Sequence, residues 1–283
     1  MSSLRIPILT LALVALASTF FVAHPALAQR TRKPVVWVNA DIPNMAGLEH
    51  KVLKSESLGH EVGYVVWTPP NFSVDSDVRY PVVYFLHGAG GSERSDAAGF
   101  ASLMAKGIRN GTFPPAICVC PNGGMSGYRG EVESMIVDEL IPLIDSTYPT
   151  QAKATSRIVA GFSMGGAGSV RLSLLHPELF CGAGSWGGAL AFRGDPSESP
   201  LLPAAENNAD TLRQNGYAAL LINGDGDRPD AFELLAETFE SVKIPHEIVV
   251  VDDTKHNLGA YQQKTADQMI KFLGNQLRQK PDR

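Results

Sequence analysis

Ser163 is the residue of this sequence whose setting most clearly favours nucleophilic chemistry. It lies in the run Gly161-Phe162-Ser163-Met164-Gly165, after an apolar predicted strand and before a helix predicted to begin near Gly165. A serine on such a strand, turn and helix is exposed as a nucleophile. The turn strains the serine backbone, and a Cβ at position 161 or 165 would crowd the adjoining elements. The amino end of the helix favours the anion formed in acyl transfer, so we predict Ser163 as the nucleophile.

A base and an acid for that serine are predicted from the loops after two later strands. His256 follows an apolar strand that ends at Val251, and it precedes the last predicted helix. A serine hydroxyl is a poor nucleophile without such a base. The acid that orients the imidazole is expected after the preceding strand, where Gly224-Asp225-Gly226-Asp227 offers two carboxylates. We predict Asp227, with Asp225 as the alternative. The chain order Ser, Asp, His is that of α/β-hydrolases.

The oxyanion hole is predicted to combine two backbone N–H groups. One belongs to Met164, the residue after the nucleophile, and the other comes from the loop after the third strand. The run Leu86-His87-Gly88-Ala89-Gly90-Gly91 supplies that loop, and its glycines let the backbone approach a substrate. We predict the N–H of Ala89, with Gly88 or Gly90 as alternatives. His87 is interpreted as a structural part of the loop.

Neither a dinucleotide nor a metal is expected. Counted from Gly88, the last position of a G-x-G-x-x-G motif is Glu93, which breaks the dinucleotide pattern. A calcium loop built on the aspartates around Asp227 fails because Pro229 occupies a ligand position. The three cysteines lack zinc spacing, so we predict free thiols and no structural metal. They are Cys118, Cys120 and Cys181.

The elements that must position these residues read as a mostly parallel central sheet of about eight strands, with helices on both faces. An antiparallel hairpin should form the N-terminal edge of the sheet, because alternating segments flank the turn at residues 58–60. Ligands of such sheets bind at the carboxyl ends of the strands. The predicted strands are Leu48–Ser57, Glu61–Trp67, Pro81–Leu86, Ala116–Cys120, Ile158–Phe162, Gly182–Trp186, Ala218–Ile222 and Glu247–Val251.

Four segments with helical spacing alternate with those strands. The first has apolar residues at helical spacing, and a kink is predicted at Pro142. The second is stopped by Pro177. The four segments are Glu131–Tyr148, Ala167–Leu175, Asp230–Val242 and Tyr261–Leu277.

Residues 1–28 are predicted to be a cleaved signal peptide. Arg5 precedes an apolar stretch, and Ala26-Leu27-Ala28 fits the cleavage rule. A membrane anchor is the alternative, but the stretch is short for a span and is interrupted by Ser18 and Thr19. We therefore expect a secreted or periplasmic protein with no stable membrane anchor, and one domain over residues 29–283 with a small candidate cap at 192–216.

The charge of the chain argues against nucleic acid as a partner. The formal net charge is −5, and no block of basic residues could follow a phosphate backbone. The oligomeric state is left open by the sequence. The expected partner is an ester, either a small molecule or one linked to a polysaccharide.

Several segments resemble motifs of the esterase family that includes esterase D, feruloyl esterases and the mycobacterial antigen 85 acyltransferases. The resemblance covers most of the chain after the leader. It implies an α/β-hydrolase fold without a cofactor, an acid in a Gly-x-x-Asp motif that falls on Asp227, and a late histidine that falls on His256. The segments that carry it are Tyr80–Gly88, Glu139–Pro142, Gly161–Gly166 and Pro177–Phe180.

The resemblance favours an exported serine carboxylesterase that forms an acyl-enzyme on Ser163. S-formylglutathione hydrolases are usually cytosolic and carry a different oxyanion loop, so they fit less well. Exported members often cut acyl groups from polysaccharides, which makes a feruloyl or acetyl xylan esterase the sharper expectation. Trp186, Tyr128 and Met125 lie in predicted loops and are candidates to line an acyl pocket, and packing in the core is the alternative for each of them. The alternatives are an acyltransferase with the same triad and a non-catalytic exported binding module.

Overall fold

An eight-stranded sheet forms the centre of the part of the chain that the computed structural model describes, residues 34–75 and 77–278. The strand order is β1-β2-β4-β3-β5-β6-β7-β8. Together with the surrounding helices, this sheet confirms the predicted fold class. The strands are β1 (Leu48–Ser55), β2 (His60–Trp67), β3 (Val82–Leu86), β4 (Ile117–Pro121), β5 (Arg157–Phe162), β6 (Gly182–Trp186), β7 (Ala218–Gly224) and β8 (His246–Val251).

The N-terminal hairpin supplies the antiparallel edge that the sequence predicts. β1 pairs with β2 in antiparallel register, with Leu48 opposite Trp67, and β2 pairs with β4 in the same sense. All remaining pairs, from β4 through β8, are parallel. The carboxyl ends of the parallel strands therefore meet at one edge of the sheet, where the loops that follow them lie side by side.

The central strands are buried on both faces, as their uninterrupted apolar sequences require. In β3, Val83 and Phe85 face a hydrophobic cluster that includes residues of helices at Ala97–Arg109 and Leu258–Arg278. The alternate residues Tyr84 and Leu86 face the opposite cluster. Alternate residues of one apolar strand therefore pack against the helices on opposite faces of the sheet.

Helices cover both faces of this sheet. The helix Ala97–Arg109 was not among those predicted, although Ala97, Ala101 and Met104 of this helix are buried at helical spacing. The last helix begins three residues earlier than predicted. The helices are α1 (Ala97–Arg109), α2 (Glu131–Ser134), α3 (Ile141–Thr147), α4 (Met164–Leu175), α5 (Leu201–Asn207), α6 (Ala209–Gln214), α7 (Glu233–Ser241) and α8 (Leu258–Arg278).

A π-helical segment, Met135–Leu140, joins α2 to α3 directly ahead of the proline where a kink was predicted. Pro142 lies in the first turn of α3. A proline is tolerated at that position because the missing N–H would have had no partner within the α-helix. The continuous helical stretch predicted for residues 131–148 is therefore present as three consecutive segments.

The predicted signal peptide, residues 1–28, lies outside the described residues. No helix within residues 34–75 and 77–278 has both the length and the apolar character needed to cross a membrane.

Within the candidate cap at 192–216, α5 and α6 bury Leu201, Ala205 and Leu212 in a cluster shared with α4 and α7.

Candidate active site

The turn between β5 and α4 holds Ser163 in a strained backbone conformation, with φ 55° and ψ −116°. Its N–H donates to the carbonyl of Trp186 at 2.8 Å. A Cβ on Gly165 would lie 2.0 Å from the carbonyl oxygen of Leu86, and one on Gly161 would lie 2.5 Å from the carbonyl of Gly165. Both positions therefore accept only glycine, as the sequence analysis argues, and the close approach fixes the serine at the end of its strand.

Ser163, His256 and Asp227 form a continuous hydrogen-bonded chain. The Oγ atom of Ser163 lies 2.7 Å from Nε2 of His256, and Nδ1 of the same imidazole lies 2.7 Å from Oδ2 of Asp227. A carboxylate oxygen accepts, so Nδ1 carries the proton and Nε2 is left to accept from the serine hydroxyl. This is the tautomer that general-base chemistry requires.

Asp225, the alternative acid, holds the neighbouring loop. Its two carboxylate oxygens each accept a hydrogen bond at 3.0 Å, from the backbone N–H groups of Thr254 and Asp253. These bonds, that of Thr254 first, lower the pKa of the Asp225 carboxyl below its ordinary value. The structure thus brings Asp227 to the imidazole of His256 and Asp225 to the backbone just before it.

Three further residues lie around the imidazole and the carboxylate that holds it, and sequence reasoning did not identify them. The ring of Phe162 lies 5.0 Å from that of His256, centroid to centroid. Gly187 has φ +58°, and a Cβ added to it would lie only 3.2 Å from Nδ1 of His256. The hydroxyl of Tyr261 donates to Oδ2 of Asp227 at 2.7 Å. Phe162 lies inside the nucleophile motif, which was the available signal for a role beside the serine.

The loop after β3 contains backbone N–H groups with and without hydrogen-bond partners. The Gly91 N–H donates to the carbonyl of Gly88 at 3.0 Å, and the Gly90 N–H to the sulfur of Met125 at 3.0 Å. The N–H of Ala89 has no hydrogen-bond partner within residues 34–75 and 77–278. The N–H of Gly88 also has no hydrogen-bond partner among the described residues, so Gly90 is occupied while Ala89 and the alternative Gly88 both remain available to bind an oxyanion. Met164 is the first residue of α4, where backbone N–H groups lack partners within the helix.

His87 has a structural position in this loop. Its side chain is buried, Nδ1 donates to the carbonyl of Gly88 at 2.8 Å, and Nε2 accepts from the N–H of Gly123 at 2.9 Å. Burial lowers the pKa of His87 below its ordinary value, so the neutral ring that makes both bonds is favoured. The imidazole therefore ties the loop after β3 to the loop after β4.

The expectation that Trp186 and Tyr128 line an acyl pocket is wrong. Both side chains have 0% exposure, and a fully buried side chain offers no surface to a ligand. Trp186 packs in the core and donates its indole N–H to Thr265 at 2.9 Å. The Tyr128 hydroxyl donates to the carbonyl of His87 at 3.1 Å. Both aromatic side chains support the loops around the site from within the core.

Met125, the third residue expected at the pocket, does line a cavity of about 500 Å³ beside the first turn of α4. Met164 and Ala167 form one wall of this cavity, and the stretch from Leu190 to Pro200 forms another. The ring of Phe192 lies in the second wall, and the guanidinium of Arg228 lies 5.1 Å from its centroid. The cavity combines apolar side chains with polar groups at its rim, as small-molecule sites do.

The described part of the chain holds no cluster of three or more histidine, cysteine, aspartate or glutamate side chains arranged for a metal ion. The sulfur atoms of Cys118 and Cys120 lie 3.8 Å apart, and both side chains are buried. Cys181 is buried next to β6, which pairs with β5 and β7 and not with the strand of the other two.

Comparison with known proteins relates the chain to esterases. The family model described as "Putative esterase" matches residues 55–219. An "Endo-1,4-beta-xylanase/feruloyl esterase" of Xylanibacter ruminicola is 27% identical over 229 residues, which are 75% of this chain and 29% of that protein. "Esterase Rv1288" of Mycobacterium tuberculosis is 32% identical over 153 residues, 50% of this chain and 32% of that protein. The matched region thus spans less than a third of the length of these relatives.

Solved structures share the fold. A ferulic acid esterase superimposes with a TM-score of 0.72 at 22% identity and covers 81% of this chain and 98% of its own. An S-formylglutathione hydrolase from Agrobacterium tumefaciens gives a TM-score of 0.63 at 19% identity, with 83% and 98% covered. At these identities the likeness establishes a common architecture.

Proposed function

The chain belongs to the family described as "Putative esterase", and from that premise we propose that it hydrolyses carboxylic esters through an acyl-enzyme on Ser163. The observation that carries the proposal is the hydrogen-bonded chain from Ser163 through His256 to Asp227, with each bond 2.7 Å long. A serine that donates to an imidazole, which in turn is held by a carboxylate, has an activated hydroxyl.

In the proposed reaction, Oγ of Ser163 bonds to the ester carbonyl carbon while its proton passes to Nε2 of His256. The tetrahedral intermediate collapses, the alkoxide leaves with that proton, and an acyl-enzyme remains. Water then gives up a proton to the same nitrogen and attacks the acyl carbon, which releases the acid and restores the serine. Asp227 stabilises the imidazolium that is present between these transfers.

The N–H groups of Met164 and Ala89 are proposed as the oxyanion hole. Two facts support them: Met164 opens α4 directly after the serine, and the Ala89 N–H has no partner within the described residues. The dipole of α4, twelve residues long, adds to the favourable potential at its amino end. Donors already oriented toward the developing charge need no reorganisation during the reaction.

The proposed substrate is an ester of an aromatic acid, of the feruloyl type. The cavity beside Met164 has the side chains of Phe192, Leu190 and Met125 in its lining, which suits an aromatic acyl group. The feruloyl esterase activity in the name of the Xylanibacter ruminicola relative agrees with this choice. An acetyl xylan ester, the other expectation from sequence, would leave most of this cavity unfilled.

Export is part of the proposal. The leader at residues 1–28 has the features of a signal peptide, and its removal would leave one hydrolase domain from residue 29. Within the predicted cap at 192–216, the stretch from Phe192 to Pro200 is proposed to cover the substrate, because residues of this stretch line the cavity.

The test is hydrolysis of p-nitrophenyl acetate and methyl ferulate by purified residues 29–283, beside the Ser163→Ala variant. Loss of at least about a thousandfold in kcat is expected, because the nucleophile is removed. Ser102→Ala is the matched control, since this serine is exposed on α1 and donates within its own helix. Ser102→Ala should hydrolyse as the parent does.

Four outcomes would count against the proposal. An inert parent protein would favour the binding-module alternative, and a Ser163→Ala variant as fast as the parent would show that Ser163 is not the nucleophile. Transfer of the acyl group to an added alcohol in preference to water would favour an acyltransferase. A preference for acetyl over feruloyl esters would overturn the substrate class while leaving the mechanism in place.

A further inference from the structure

The acid of the triad is held by a second side chain besides the histidine. The Tyr261 hydroxyl lies 2.7 Å from Oδ2 of Asp227, the same oxygen that His256 contacts. The N–H of Gly224 lies 2.8 Å from the Tyr261 hydroxyl on its other side. Gly224 ends β7, Tyr261 lies in the first turn of α8, and Asp227 lies in the loop after β7, so the three groups connect separate elements.

The direction of these bonds follows from their chemistry. A backbone N–H only donates, so the Gly224 N–H occupies a lone pair of the phenol oxygen. A carboxylate oxygen only accepts, so the phenol proton points at Asp227. The phenol therefore has both of its roles filled, and no other orientation of its proton satisfies both neighbours.

Burial keeps this proton in place. The Tyr261 side chain has 0% exposure. Burial first, and the hydrogen bond to Asp227 next, raise the pKa of Tyr261 far above its ordinary value. The phenol is therefore a neutral donor throughout the pH range in which proteins are folded.

We propose that Tyr261 is a positioning residue that fixes the orientation of the Asp227 carboxylate, and through it the tautomer and position of His256. The inference rests on the hydrolase function proposed above. Among the described residues the Tyr261 hydroxyl bonds to Asp227 and Gly224, and Tyr261 is not part of the cavity lining, so the hydroxyl acts on the reaction through the acid.

A positively charged side chain near Asp227 favours a different orientation of its carboxylate. The guanidinium of Arg228 lies 3.8 Å from the other oxygen, Oδ1 of Asp227, and is 44% exposed. Without the phenol, rotation of the carboxylate toward Arg228 would weaken its bond to the imidazole. Tyr261 opposes that rotation, because its proton and Nδ1–H of His256 converge on one oxygen.

The experiment uses Tyr261→Phe, which keeps the buried ring and removes only the hydroxyl. Two readouts are taken: kcat and KM for p-nitrophenyl acetate, and the rate at which a fluorophosphonate labels Ser163. In labelling, Oγ bonds to phosphorus as fluoride leaves, and the serine proton passes to His256. The label reports nucleophile activation without knowledge of the natural substrate.

The expected result is a fall of about tenfold or more in kcat and in labelling rate, with KM within about twofold of the parent. Tyr217→Phe is the matched control, because this tyrosine is also fully buried and its hydroxyl bonds to Ser173 at 2.9 Å, away from the site. This control should lower the midpoint of thermal unfolding as Tyr261→Phe does, and retain the parental kcat.

A second measurement separates positioning from general loss of stability. In an Asp227→Ala background, the added Tyr261→Phe change should leave the residual labelling rate unaltered, because its target is gone. Equal kcat for Tyr261→Phe and the parent, an effect on KM alone, or a further tenfold loss in the Asp227→Ala background would each overturn the proposal. Failure of Ser163 itself to be labelled in the parent would instead overturn the proposed function.

Discussion

Oδ1 of Asp225 accepts a hydrogen bond from the backbone N–H of Thr254 at 3.0 Å, two residues before His256. The loop after β8 is thereby tied to the loop after β7 through its main chain. Asp227, two residues further along, contacts the imidazole itself. The two carboxylates of this short loop therefore make different contacts. Asp225 holds the backbone just before His256, and Asp227 holds the imidazole ring of His256.

Asp227→Asn is expected to lower kcat by about ten-thousandfold, because an amide at this position can stabilise the wrong tautomer of His256 and cannot balance the imidazolium. Asp225→Asn is the matched control, since it makes the same change two residues away. It should lower kcat by less than about tenfold, because the amide oxygen still accepts one of the two backbone bonds. Steady-state kinetics on both variants decide the assignment. A larger loss in Asp225→Asn would reverse it.

Gly165→Ala is expected to disrupt the turn that carries the serine. A Cβ at this position would lie 2.0 Å from the carbonyl oxygen of Leu86, so the strand and helix must separate. We expect a loss of at least about 2 kcal/mol in the free energy of unfolding, measured by urea denaturation. Gly99→Ala is the control: its Cβ meets nothing within 4 Å, and it should stabilise α1 by up to about 1 kcal/mol. Equal stability of the two variants would contradict the packing argument.

Phe192→Ala is expected to raise KM for methyl ferulate about threefold to tenfold, because an aromatic contact in the cavity is lost. KM for methyl acetate, which has the same alcohol, should change little. Ile248→Ala serves as control, since this side chain is 39% exposed on β8 and does not line the cavity. If both esters respond equally to Phe192→Ala, the cavity does not bind the aromatic acyl group.

The stability of the protein is expected to decrease as the pH falls below about 6.5, in part because of His87. Burial lowers the pKa of this side chain from 6.5 in the folded protein, so the unfolded chain takes up the proton at higher pH. The contribution is complete above the unfolded pKa and is lost progressively as pH falls toward the folded pKa. Protonation of Nε2 also removes its bond to the Gly123 N–H.

Urea unfolding at about pH 7.5 and about pH 5.5 checks this dependence. His87→Gln should be less stable than the parent at the higher pH and should lose less stability between the two values. His60→Gln replaces a histidine whose ring lies 4.8 Å from that of Trp37, centroid to centroid, and should retain the parental difference. Identical differences in the parent and in His87→Gln would show that His87 is not responsible.

Much of the sheet could be predicted because its strands are buried on both faces and read as short apolar runs. The predicted bounds of Gly182–Trp186 coincide with those observed, and the other strands differ by one or two residues at their ends. Helix α1 was missed because Gly99 and Gly107 weaken its helical pattern. Tertiary packing requires glycine at position 107, because a Cβ there would lie 2.6 Å from the side chain of Ile270 on α8. That contact joins distant parts of the chain and leaves no local pattern.

The residues of the candidate site that belong to a sequence motif could be predicted, and those placed there by tertiary packing could not. The nucleophile motif and the order of later loops identified Ser163 and His256, which the structure brings to hydrogen-bond distance. Whether Asp225 or Asp227 meets the imidazole depends on how the loop turns, which the spacing leaves open. Trp186 was misplaced because burial of an aromatic residue near a loop depends on distant neighbours. Tyr261 was missed because its contact with Asp227 spans 34 positions.

Ser163 precedes His256 by 93 positions, so the proposed nucleophile is synthesised well before its proposed base. A nascent chain that has emerged only through α4 carries a serine whose proton has no acceptor. The imidazole arrives with the loop after β8, and the phenol that steadies Asp227 arrives later still, on the final helix. Under the proposed mechanism, a chain in which the loop after β8 and helix α8 have not yet packed should not react with a fluorophosphonate. The appearance of this reactivity during refolding should therefore report the packing of α8 against the sheet.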